Sequence, residues 1–71
     1  MTDATRREVL EVLAEISAYC PDMRFGQLIA NLSVAARGAA VESIWDVEDE
    51  ELLAEARQEL ESLRTRSASV A

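Results

Sequence analysis

Three stretches of this chain repeat apolar residues every three or four positions, and none alternates apolar and polar residues long enough to make a convincing strand. Val9, Val12, Leu13, Ile16 and Cys20 mark the first stretch. Phe25, Leu28, Ile29, Leu32 and Ala36 mark the second, and Leu52, Leu53, Ala56, Leu60 and Leu63 the third. At 3.6 residues per turn each set gathers on one helical face. The periodicity therefore predicts an all-α, compact three-helix domain, with helices over about 3–19, 23–37 and 47–64. Leu10 lies about 100° from the centre of the first face. It reads as a lone exposed leucine, with a contact role as the alternative.

Local signals set the helix limits. Thr5 and Glu8 have capping-box spacing, so the first helix begins at Thr5 or, alternatively, at Asp3. Pro21 ends it, because the residue before a proline avoids helical angles. Asp22 is the expected cap of the second helix. Gly26 costs its first turn about 1 kcal/mol relative to alanine, and it offers room for close approach of the first helix. Gly38 is a natural left-handed C′ residue. Asp46 is the expected N-cap of the third helix, and Glu48, Asp49, Glu50 and Glu51 suit the positive end of its dipole.

The connection over 39–46 is too long for a tight turn. Ile44 and Trp45 should fold back onto the core and order this loop. An extended 39–45 segment paired across a dimer is the alternative. A single helical domain is expected over 1–66. The aperiodic tail over 67–71 is expected to be frayed and disordered.

A chain of 71 residues buries only about 60% of its unfolded surface. Such small cores seldom supply more than roughly 3–5 kcal/mol unaided, so a homo-oligomer is a standing expectation. The longest apolar runs are far short of the roughly 20 residues a transmembrane helix needs. Glu8, Glu11 and Glu15 sit where a signal peptide would be apolar. The expectations are no membrane partner and a cytoplasmic location.

Catalysis is tested by subtraction. The chain has no histidine and no lysine, which removes the usual general base and the Schiff-base amine. Its glycines are Gly26 and Gly38, so no phosphate-cradling loop is present. Cys20, alone, reads as a small buried apolar side chain, with a reactive thiol as the alternative. Asp46, Glu48 and Glu50 alternate as in a calcium loop, but that loop's sixth and twelfth positions fall on Glu51 and Arg57 rather than Gly and Glu. The expectation is no enzyme, no cofactor and no metal site.

Charge is the unusual property. Fourteen acids face seven bases, a net of −7, and every base is arginine. Phosphate backbones repel such a surface, so nucleic acid is not an expected partner. A helix-turn-helix is also disfavoured, because its turn is only about 3–4 residues long. From Glu42 to Glu55 there are seven acids and no base. Glu48, Glu55 and Glu59 border the leucine stripe, with Glu51 further round. Like charges four residues apart cost a few tenths of a kcal/mol each. This edge reads either as a solubilising face or as a docking face for a basic partner. Arg24, Gln27 and Asn31 form a second row, flanking the apolar stripe of the second helix. They are either ordinary exposed positions or a polar seam fixing how helices or subunits register.

The segment Arg24-Phe25-Gly26-Gln27-Leu28-Ile29-Ala30-Asn31-Leu32, with Glu48-Asp49-Glu50-Glu51-Leu52-Leu53 after a loop, resembles small uncharacterised bacterial proteins. These share an R-F-G-Q-L-I-x-N-L segment and a later E-D-E-E-L-L. The resemblance covers about residues 19–56. It implies no catalytic residues, but it implies that Arg24, Gln27 and Asn31 matter together. The expected function is a non-enzymatic protein–protein interaction module that self-associates or docks on a larger partner. The alternative is an acidic antitoxin-like or inhibitor protein that neutralises a basic partner. Candidate partner-binding residues are Glu48, Glu51, Glu55, Glu59, Arg24, Gln27 and Asn31.

Overall fold

The computed structural model describes residues 3–70, with side chains through residue 67. Its helices are α1 (Asp3–Tyr19), α2 (Phe25–Arg37), α3 (Ser43–Asp46) and α4 (Asp49–Val70). The chain is all-α, and the described residues hold four helices rather than three, because a single short turn of helix occupies the connection expected to be a loop.

Cross-helix ion pairs give the relative directions. Glu8 meets Arg57 and Glu15 meets Arg64, a constant offset of 49 residues. A constant offset means that α1 and α4 run parallel. Arg37 at the end of α2 meets Glu51 at the start of α4, so α2 runs the opposite way. The up-down-up order follows from short connections at both ends of α2.

The core is Val9, Leu13 and Ile16 from α1, Leu28 and Leu32 from α2, and Leu53, Ala56 and Leu60 from α4. Every member belongs to the apolar stripes read from sequence. Val12, Ile29, Leu52 and Leu63 pack at its margin. Burying each Val, Leu or Ile contributes about 1.5–3 kcal/mol. The molecule is 17 Å across its thinnest dimension, less than two helix diameters of about 10–12 Å. Few residues can therefore be fully enclosed.

Several local expectations are corrected. Cys20 O accepts from Met23 N–H at 3.1 Å. That bond closes a turn with Pro21 at its second position, where the fixed proline φ is favoured. Asp22 is consumed in this turn, and α2 starts after Arg24, whose side chain makes no capping bond. Asp46 ends α3 instead of capping α4. Glu48 is the cap, since its carbonyl accepts from Leu52 N–H at 2.9 Å. α4 does not stop at 64 but continues to Val70, because no glycine or proline follows to break it. The expected frayed tail is thus helical over 67–70, and Ala71 lies outside the described residues.

The largest correction concerns Ile44 and Trp45. Neither joins the core, and Trp45 is 69% exposed. The connection is anchored by a polar residue instead. Ser43 is buried, and its hydroxyl donates to Gly38 O at 2.6 Å. Bonds from Asp46 N–H to Glu42 O and from Val47 N–H to Ser43 O complete the helical turn. Phe25 is also displaced from its expected stripe and lies 54% exposed. Leu10 is exposed, as read from its wheel position.

The two glycines play different roles. Gly38 has φ +101° and ψ 170°, an extended positive-φ conformation rather than the expected left-handed helical one. That region is essentially restricted to glycine. Gly26 touches nothing that a Cβ would meet within 4 Å, so it allows no close approach of α1. Urea unfolding should separate them. Gly38→Ala is expected to lower stability by about 1–3 kcal/mol. Gly26→Ala is expected to raise it by up to about 1 kcal/mol.

Candidate functional site

The seven candidate residues divide into three groups in space. Glu48 and Glu51 sit at the start of α4, and Glu51 ties it to α2. One Glu51 carboxylate oxygen, Oε1, accepts from Glu48 N–H at 3.0 Å and from the Arg37 guanidinium at 2.9 and 3.1 Å. The first bond satisfies a donor that the helix start would otherwise leave open. The second ties α4 to the end of α2. Both favour the charged carboxylate, so the Glu51 pKa lies below its ordinary value of 4.5, the Glu48 backbone bond being the larger cause and Arg37 the next.

Arg24 and Gln27 form the second group. Both are exposed, Arg24 just ahead of α2 and Gln27 in its first turn. Neither is among the residues that line the cleft around which the third group stands.

Asn31, Glu55 and Glu59 form that third group, around a cleft of about 350 Å³. Its floor is apolar, with Ile16 from α1, Leu28, Leu32 and Ala35 from α2, and Met23 from the intervening turn. Cys20, half-buried rather than fully enclosed, also lines it. Asn31 stands on the α2 side, and Glu55, Gln58 and Glu59 stand on the α4 side. The antiparallel crossing of α2 and α4 therefore joins the two polar edges that sequence placed on separate helices. Glu59 pairs with Arg66 at 3.3 Å, one heptad along α4. Glu55 has no ion pair or hydrogen bond to its carboxylate among the described residues, although it is half-buried.

Sequence reasoning missed Met23, Ala35 and Gln58 as lining residues. The signal was the spacing of Leu28, Asn31 and Ala35, and of Glu55, Gln58 and Glu59, each a three-and-four step along one edge. Ser33 was also missed. It is fully buried and satisfied by its own helix, donating to Ile29 O at 2.8 Å.

A second apolar feature lies outside the cleft. Val41, Ile44 and Trp45 are all exposed on the turn that carries α3. Ser43 points inward from the same turn. Trp45 lies nearly opposite Ser43 on the wheel of α3, with Ile44 beside it, and Val41 lies in the turn that precedes the helix. Among the described residues no three His, Cys, Asp or Glu side chains converge as a metal site would require. No described helix is long and apolar enough to cross a membrane. Compared with known proteins, the chain gives no significant match to a family model, a curated protein or a solved structure.

The Glu51 tie predicts a pH dependence. A carboxyl whose folded pKa is lowered adds stability that is present above its unfolded pKa and lost as pH falls through the folded one. Glu51→Gln keeps an acceptor for Glu48 N–H but loses the charge facing Arg37. The variant should be less stable than the parent at pH 7. The difference should shrink as pH falls below the ordinary 4.5, when both are followed by urea unfolding monitored by circular dichroism.

Proposed function

We propose that this chain is a non-enzymatic protein–protein interaction module, which docks on a larger partner or on a second copy through its helical surfaces. The observation that carries this reading is the exposed Val41–Ile44–Trp45 group. Tryptophan is enriched among the residues that dominate binding energy at interfaces. Here it is held on a helical turn whose anchor is a buried serine bond, so little ordering cost remains to be met on association.

Trp45 is the sole tryptophan in the chain and reports directly on the proposal. Free protein should show the red-shifted emission of a water-exposed indole. Association should move that emission to the blue and raise the sedimentation coefficient. Trp45→Ser should leave the circular dichroism unchanged and weaken association. A strict monomer at high concentration that retains no protein from its native extract rejects the reading.

A second reading is an acidic inhibitor that covers a basic protein site. The half-buried, unpaired Glu55 favours it. Charge reversal at Glu55 and Glu59 should then abolish binding, and binding that ignores both the reversal and added salt would reject it. Glu51 is left unaltered in this test because it holds α2 to α4.

A further inference from the structure

We infer that the cleft between α2 and α4 is the recognition pocket of this module, and that its occupant is a basic amphipathic segment of a partner protein. That segment sets an apolar side chain on Ile16, Leu28 and Leu32 and brings an arginine or lysine to Glu55. The inference rests on the interaction reading above and adds to it a second surface, apart from the Val41–Ile44–Trp45 turn, and a partner chemistry.

Shape comes first. A cleft of about 350 Å³ lies at the small end of the 300–1,000 Å³ typical of ligand sites, a size suited to one or two side chains. The floor is apolar and the side walls are helices, the arrangement in which a groove accepts the apolar face of another helix.

Charge then selects among occupants. The lining side chains include two carboxylates and no cation. Four carboxylates pair across helices, Glu8 with Arg57, Glu15 with Arg64, Glu51 with Arg37 and Asp49 with Arg6, and other acids unpaired among the described residues, such as Glu11 and Glu61, are exposed. Glu59 shares Arg66 at 3.3 Å. Glu55 has no such partner among the described residues, and it stands beside an apolar floor where water is partly excluded. A carboxylate there interacts more strongly with an arriving cation than one in open water does. Arginine and lysine suit the position twice over, since their stems cover apolar surface while their heads reach the charge. Anionic ligands are opposed by both carboxylates. As the occupant of this acid-lined cleft, a second copy is opposed by the net charge of −7 on each chain.

Amide NMR titration of the full chain tests the inference, using two synthetic amphipathic helical peptides with the same leucine face, flanked by arginine in one and glutamate in the other. The arginine peptide should shift Asn31, Ala35, Glu55 and Gln58 saturably, and more weakly at high salt. Glu55→Gln should weaken it about tenfold, whereas Glu11→Gln, which removes the same charge from an exposed site outside the cleft, should not. The inference is overturned if the glutamate peptide binds equally, if Glu55→Gln has no effect, or if neither peptide shifts the cleft. Shifts confined to 41–45 with a change in Trp45 emission would overturn the cleft while leaving the interaction reading standing.

Discussion

The parallel pairing of α1 with α4 is the constraint on which the remaining geometry depends. Two helices that run the same way cannot be joined by a short turn, so the chain must cross the molecule once between them. α2 makes that crossing, with the Pro21 turn at one end and the segment carrying α3 at the other. Core residues from all three long helices meet because α2 lies against α4 while α1 lies alongside it. The Glu8–Arg57 and Glu15–Arg64 pairs repeat every seven residues along this seam. Each is solvent-exposed and adds about 0.2–1 kcal/mol at most. Their effect lies more in register, since sliding α4 by one turn would break both at once.

The crossing also creates the cleft. α2 and α4 are in closest ionic contact at one end, where Arg37 reaches Glu51, while the other end contains Met23 and Cys20 from the turn region. The acids of α4 consequently divide by position. Glu51 is used internally, Glu59 is partly neutralised along its own helix, and Glu55 is left half-buried without a cation. Sequence treats these as equivalent members of one charged edge. Their environments differ because the α2 cation Arg37 reaches Glu51 alone among them.

Much of the architecture was legible before the structure. The end of α1 at Tyr19 follows from Pro21, and the whole core comes from the three predicted stripes. The failures have separate physical causes. Trp45 and Ile44 were expected inside because burial of large apolar residues stabilises a small fold, yet the rule runs one way: exposed apolar residues are common. A turn anchored by Ser43 to Gly38 left no need for them in the core. The end of α4 was misplaced because loss of periodicity is not a stop signal when serine and alanine can continue the helix. The role of Glu51 depends on Arg37, fourteen residues earlier, and no local pattern encodes that meeting. Asn31 and Glu55 were each singled out, but their juxtaposition is a property of the helix crossing alone.

The ties between helices share one chemical limitation. Each uses arginine, whose charge is fixed, and the chain contains no histidine, the side chain whose ordinary pKa falls between pH 5 and 8. Acidification across the neutral range therefore has no dedicated group through which to act on these pairs. Dissolved salt does, because the pairs lie at the surface and the screening length shortens to about 3 Å at 1 M ionic strength. Across the neutral range ionic strength, rather than pH, therefore acts on these seams, and the same screening that loosens them would weaken a cation's hold on Glu55.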